Sequence, residues 1–451
     1  MKLRKLHTVS GLVMVAWIAS LGWLVQREYL AAEAPGDVAA SARVVPGSAF
    51  FAVFVPSGQV GVASTSVDTM AGEVRLSERF EVTLPHGDST RRWRLNVDTR
   101  LSPTLELRSL SSSTGGDLPR TSLEAVRSGG DTLALELRRG RTVRTARRAL
   151  PGAVPVGALP LRLAVGGRPR IGQMLEALVL DPLDGSATRR QYVIADSSVM
   201  FVPDSARYDS ARGRWTVAHG TDVVAWRLDE VESASPTRIW VDAQGFVVRA
   251  ALPSGFWLQR TAFEIAQLNL RAGKGASARY NQDYVTQSTR LTPVTPADTA
   301  ADLLVPSDAA TVRAAAEEAA AGALGAEATA RALLKWTSRE IAETPSDPSP
   351  DALAALAARR GGDAARSLLF VALARARGIP ARIASGARRD GTGWTTRVWS
   401  EVHAGGWVAV DPATGDWPAD TSLVRLRSGG TGHPLELAGL LARLTPSTAA
   451  P

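Results

Sequence analysis

Two spacings of apolar residues divide the chain. Between residues 46 and 268 they alternate, so that Phe80, Val82 and Leu84, then Trp93, Leu95 and Val97, then Leu133, Leu135 and Leu137 each occupy one face. Alternation of this kind describes half-buried antiparallel strands. The strand-like run 50–55, the turn Pro56-Ser57-Gly58 and the return run 60–66 predict a first hairpin. Ile239-Trp240-Val241, the turn 242–245 and Phe246-Val247-Val248 predict another, with Gly245 free to take positive φ. Residues 46–268 are therefore expected to form a β-rich domain.

After a linker at 269–305, rich in Thr, Pro, Ala and Asp, the spacing becomes helical. Ser307 is placed to cap a first helix, and the Ala-rich stretch 309–330 reads as helix interrupted near Gly322 and Gly325. Ala330, Leu333, Leu334, Thr337 and Ile341 then form one stripe. Ser349-Pro350 reads as an N-cap with proline at the first helical position, opening a helix to about residue 360. Gly361-Gly362 breaks it. Asp363 starts a further helix that runs to Arg377 and stops at Gly378 before Pro380. Strands are expected at 381–386, 394–403 and 407–411, the last two joined by a turn at Gly405-Gly406. The fold class is thus α+β, with a domain at 306–445 following the β-rich one.

At the amino terminus Lys2, Arg4 and Lys5 precede an apolar run from Val9 to Val25, closed by Arg27 and Glu28. Its length meets the minimum of about 17 residues for a transmembrane helix and exceeds the apolar core usual in a cleaved signal. Residues 1–26 are therefore read as a short cytoplasmic start with a signal anchor, and 27–45 as a tether. The positive flank stays cytoplasmic, so the bulk of the chain is expected to be extracytoplasmic, or periplasmic, on a single-pass inner-membrane protein.

Composition narrows the chemistry. The chain of 451 residues has no cysteine, which removes disulfides, thiolate metal sites, a lipid-modified cysteine anchor and any thiol nucleophile. Its formal charge is +8, and only four of the 52 basic residues are lysine. The excess favours anionic partners, but the arginines are dispersed and no nucleic-acid motif accompanies them. No P-loop, dinucleotide fingerprint or His-Glu-x-x-His pattern is present, and neither a cofactor nor a metal is expected. Asp416 and Asp420 lie in a Gly/Pro loop and read as solvated.

The stretch from Gly362-Asp363 through Arg375-Ala376 to Gly378-Ile379-Pro380-Ala381-Arg382 resembles the central helix and following strand of the transglutaminase-like superfamily, which has a papain-like fold. Arg397-Val398-Trp399-Ser400-Glu401-Val402 and Gly406-Trp407-Val408-Ala409-Val410-Asp411-Pro412 are similar to its paired strands. The 240–245 hairpin, with Arg260, Thr261, Glu264 and Ala266, is similar to a domain that precedes such modules in membrane-anchored bacterial proteins. The resemblance implies a Cys at the head of the central helix, a His on the first strand and an Asp on the second. Here those positions hold Asp363, Arg397 and Asp411.

A guanidinium has no acceptor and stays protonated, so Arg397 cannot act as a general base. A carboxylate at Asp363 is a poor nucleophile towards an amide. Ser367, one turn along the helix, sits too deep to replace it, and His403 lies about 20 Å along the strand from Arg397. What survives is a pair of opposite charges, and Asp363, Arg397 and Asp411 are expected to form a partly buried ion network; in the simpler alternative, Asp363 caps its helix and Arg397 faces solvent. Trp399, Glu401 and Trp407 are the cleft candidates. The leading expectation is a degenerate, catalytically inactive module, a pseudoenzyme that binds a peptide, peptidoglycan or another anionic envelope component. Two alternatives stand beside it: a residual hydrolase or peptidase, and a curved β domain that holds lipid or a lipoprotein chain.

Overall fold

The computed structural model describes residues 44–429 except 56–57, 71, 87–88, 118–119, 232–235, 274, 276–293, 345–349 and 391–392. The predicted anchor, most of the tether and the tail beyond 429 lie outside the described residues. Among those described, no helix is long and apolar enough to cross a membrane.

The alternating region folds into one 15-stranded sheet. Its first half is a meander of β1 (Gly47–Val55), β2 (Gly58–Met70), β3 (Glu73–His86), β4 (Ser89–Leu101), β5 (Leu107–Gly116), β6 (Thr121–Gly129), β7 (Thr132–Arg139) and β8 (Thr142–Ala149). Its second half comprises β9 (Val154–Pro155), β10 (Met174–Leu180), β11 (Ala187–Asp209), β12 (Arg214–Glu230), β13 (Arg238–Asp242), β14 (Val247–Ala251) and β15 (Trp257–Thr261). The halves join where β1 pairs antiparallel with β15, Phe50 opposite Thr261. Burial follows the period-two pattern: Val74, Leu76, Val82, Leu133, Leu135 and Leu137 are all buried. A short helix, α1 (Leu159–Val165), lies against the inner side, with Leu159, Leu161 and Leu163 buried. In the hairpin of β13 and β14, Gly245 takes φ +85°. Asp242 accepts hydrogen bonds there from the Gln244 and Phe246 amides, both at 2.9 Å.

The second half of the chain contains α2 (Ala310–Ala319), α3 (Ala326–Glu340), α4 (Ala352–Ala358) and α5 (Asp363–Ala376), with a two-residue parallel pair, β16 (Ala342–Glu343) and β17 (Arg360–Gly361). A four-stranded sheet follows in the order β20-β19-β18-β21, made of β18 (Ala381–Asp390), β19 (Gly393–His403), β20 (Trp407–Val410) and β21 (Leu423–Ser428). The Ala-rich stretch breaks between α2 and α3, where Gly322 and Gly325 take positive φ. The stripe Ala330, Leu333, Leu334, Thr337 and Ile341 is buried throughout.

Three local expectations are corrected. The cap of α2 is Ala309, with no side-chain bond, and Ser307 is buried before it. The cap of α4 is Asp351 rather than Ser349, because the Asp351 carboxylate accepts from Ala354 N at 2.8 Å. The same carboxylate pairs with Arg144 of β8, so this cap also binds the two domains together. The end of the stretch read as linker is packed: Leu303, Leu304 and Val305 are buried in a core that continues from the β-rich domain into the helices.

Candidate functional site

The central helix α5 is buried on every side from Ala365 to Ala374, so it can only sit between layers. Gly362 is its N-cap, in an extended conformation, and contributes no side-chain hydrogen bond. Asp363 is the first helical residue and sits at the rim of the core. Ser367, one turn later, donates from its hydroxyl to the Val398 carbonyl at 3.3 Å, and Ser400 donates to the Ser367 carbonyl at 3.3 Å. These two bonds fix α5 on β19 and occupy the Ser367 hydroxyl.

The three positions singled out by the resemblance come together. Arg397, opposite Gly386 in the β18–β19 register, donates through Nη2 to Asp411 Oδ2 at 3.0 Å. Its Nη1 lies 3.9 Å from Asp363 Oδ2, close enough for an ion pair but not for a hydrogen bond. Asp363 is held instead by backbone, accepting from Ala364 N at 2.8 Å and Val398 N at 3.0 Å. Asp411, 5% exposed, accepts also from Ala413 N at 2.9 Å. The network is therefore lopsided, with Arg397 bonded to Asp411 and only electrostatically linked to Asp363. Burial pushes the Asp363 carboxyl above its ordinary value, and the Val398 amide, the Arg397 charge and the Ala364 amide offset this only in part.

Sequence reading missed Arg366, buried on α5, whose Nη1 donates to the Ala413 carbonyl at 2.7 Å and braces the turn after Asp411. The three cleft candidates have other engagements. Trp399 is buried in the core, where its ring would lie 3.0 Å from a Cβ at Gly386. Glu401, 2% exposed, accepts from Arg382 Nε at 2.8 Å, from Ser428 Oγ at 2.6 Å and from Arg425. The Trp407 ring carries the Arg382 guanidinium 3.8 Å from its centroid. His403 meets the same ring edge-on at 5.5 Å. Among the described residues, no group of three or more His, Cys, Asp and Glu is placed to hold a metal ion.

Arg397→Ala leaves the Asp411 carboxylate buried with the Ala413 amide as its remaining donor. The expected loss is roughly 1–3 kcal/mol in urea unfolding. A wild-type midpoint in that variant would show that the Arg397–Asp411 bond contributes nothing to stability.

This arrangement of helix head, paired strands and terminal aspartate lies within residues 313–412, which match the family described as the transglutaminase-like superfamily. Residues 313–412 form a transglutaminase-like domain. No curated protein shows significant sequence similarity to the chain. Among solved structures, similarity extends to a Cytophaga hutchinsonii protein provisionally assigned as a cysteine protease, with 14% identity, TM-score 0.28, and coverage of 55% of this chain and 73% of that one. A second is a β-barrel-like protein of the domain of unknown function DUF1849 from Brucella abortus, with 10% identity, TM-score 0.34, and coverage of 48% and 96% respectively. A third is a DUF1089 family protein from Pseudomonas aeruginosa, with 15% identity, TM-score 0.24, and coverage of 41% and 87%. In the transglutaminase-like domain itself, the head of the central helix carries a carboxylate and the facing strand a guanidinium.

Proposed function

We propose that the transglutaminase-like domain no longer carries out acyl transfer and acts by binding, on a protein anchored in the inner membrane by residues 1–26 with its remainder extracytoplasmic. The observation that carries this reading is the direct bond between Arg397 and Asp411, at 3.0 Å, beside an Asp363 held by two backbone amides. In active relatives the resemblance implies a thiolate attacking the acyl carbon and an imidazole that takes and returns a proton. A guanidinium in the imidazole position donates hydrogen bonds but accepts no proton. An Asp363 ester or anhydride would need a base to resolve it, and the neighbouring group is a permanent cation.

The surviving pair of charges keeps α5 and the sheet in register, so the module keeps its shape without the proton relay. The chain's formal net charge of +8 favours an anionic ligand, and peptidoglycan, with its stem-peptide carboxylates, fits that chemistry in the proposed compartment.

Two measurements test the proposal. The full chain, incubated with an amine donor and a glutamine-containing peptide, is expected to give no transamidation or hydrolysis above background, with no change in Asp363→Ala. Turnover in the wild type that disappears in a folded Asp363→Ala protein would establish the hydrolase alternative instead. The full chain is also expected to sediment with purified peptidoglycan sacculi at low salt and to be released at about 0.5 M salt, where charge attractions are screened beyond roughly 4 Å. Protein that stays in the supernatant at low salt overturns the choice of ligand.

A further inference from the structure

The β-rich domain carries a half-open cavity of about 300 Å³ between the inner face of β2, β3 and β4, the turn leading into α1, and β10, β14 and β15, with Arg427 of β21 also at its wall. That volume is at the lower end of the range for small-molecule sites, roughly 300–1,000 Å³. Its walls are hydrocarbon and aromatic: Phe51, Phe80, Leu95, Val179, Phe256 and Leu258 all contribute. Charged groups also reach the wall, and Glu78 is one of them. Glu78 projects from β3 on the same alternate positions as Leu76 and Phe80, and also borders a smaller void of about 30 Å³ beside Phe246 and Val247.

The Glu78 carboxyl is packed so closely on backbone that a Cβ at Gly157 would come within 2.3 Å of both its oxygens. Only glycine permits this approach. Among the described residues no hydrogen bond or ion pair reaches those oxygens, and burial alone accounts for the upward displacement of the carboxyl's titration. The other charged residues on the wall do not neutralise it: Arg190 is paired with Glu230 at 3.0 Å, and Arg79, Arg427 and Asp181 do not perturb it. A half-buried acid facing an apolar wall without a partner is costly, and a donor brought in by a ligand relieves that cost.

We infer that this cavity binds a single-chain amphiphile with an amine head, the hydrocarbon lying against the aromatic and aliphatic walls and the ammonium donating to Glu78. Hydrocarbon walls favour an alkyl chain. The Glu78 carboxylate favours a cation over an anion, since an anionic head placed against it would meet like charge in a low-dielectric site. The site is independent of the reading given above for the transglutaminase-like domain.

The test uses the purified full chain and a long-chain amine carrying a photoactivatable diazirine, below its micelle limit, with labelled peptides located by mass spectrometry. Labelling is expected within β2 to β4 and β13 to β15. Dodecylamine should compete at pH 8 at least about tenfold better than dodecanoate, the scale of a desolvated charge pair. Glu78→Gln is expected to retain labelling while losing that preference, and Ala63→Trp, which fills the cavity, to lose labelling. Labelling confined to other segments, equal competition by amine and carboxylate in the wild type, or an unchanged preference in Glu78→Gln would each overturn the proposal.

Discussion

Glu401→Ala is expected to lower the unfolding free energy by about 3–5 kcal/mol, the cost of breaking a buried ion pair by removing one partner. Glu401 is 2% exposed and is the single anion between the guanidinium groups of Arg382 and Arg425, with the Ser428 hydroxyl completing its acceptor set. Removing it leaves two cations facing each other, one of them 6% exposed under the Trp407 ring. The pH dependence follows from the same contacts. Burial alone would raise the Glu401 carboxyl, but the Ser428 and Arg425 hydrogen bonds and the Arg382 charge outweigh it and hold the group below its ordinary value. A carboxyl whose folded value is depressed contributes stability above its unfolded value, near 4.3, and that stability is lost as pH falls through the folded one. Wild type and Glu401→Ala should therefore differ most at neutral pH and converge on acidification below about pH 4. Urea unfolding at pH 7 and pH 3.5 measures this, and an equal difference at both would refute the charge-based account.

Much of this domain is legible from residues close in sequence. The break at Gly361-Gly362, the stop at Gly378 and the alternation through Val398, Ser400 and Val402 are local signals, and each element forms where its signal lies. The meeting of Asp363, Arg397 and Asp411 follows from the fold that the resemblance implies, but the division of bonds among them does not. Whether Arg397 favours Asp411 or Asp363 is decided by less than an ångström, against backbone amides that a sequence does not position. Glu401 is a harder case. Its partners lie 19, 24 and 27 residues away, on two other strands, so a residue that reads as a polar position facing a cleft is the centre of a buried ion cluster. Asp351 was obscured by proximity, since Ser349-Pro350 offers a more familiar opening two residues earlier. In the β-rich domain Glu78 is a readable signal: it interrupts the buried positions Val74, Leu76 and Val82, and a carboxylate there must face either a partner or a cavity.

Glu78→Gln is expected to raise stability, and by an amount that depends on pH. Burial pushes the Glu78 carboxyl up to about 7 from 4.5, so the fold favours the protonated form. A group whose folded value is raised contributes most below its unfolded value, and its contribution is lost as pH rises through the folded one. The wild type should therefore lose stability between about pH 4.5 and 7 and lose no more from this group above that, a total of about 3 kcal/mol. Glutamine is neutral throughout, so the variant should match the wild type near pH 4.5 and exceed it by about 3 kcal/mol at pH 9. Unfolding in urea at the two pH values measures the difference, and an equal gap at both would mean that Glu78 finds a partner in the folded protein. A long-chain amine at saturation should narrow the gap at pH 9, because the ammonium compensates the ionised carboxylate that glutamine replaces. An acid that weakens its own fold at neutral pH is a poor structural element and a good ligand anchor, since the free energy withheld from folding is recovered when the cation binds.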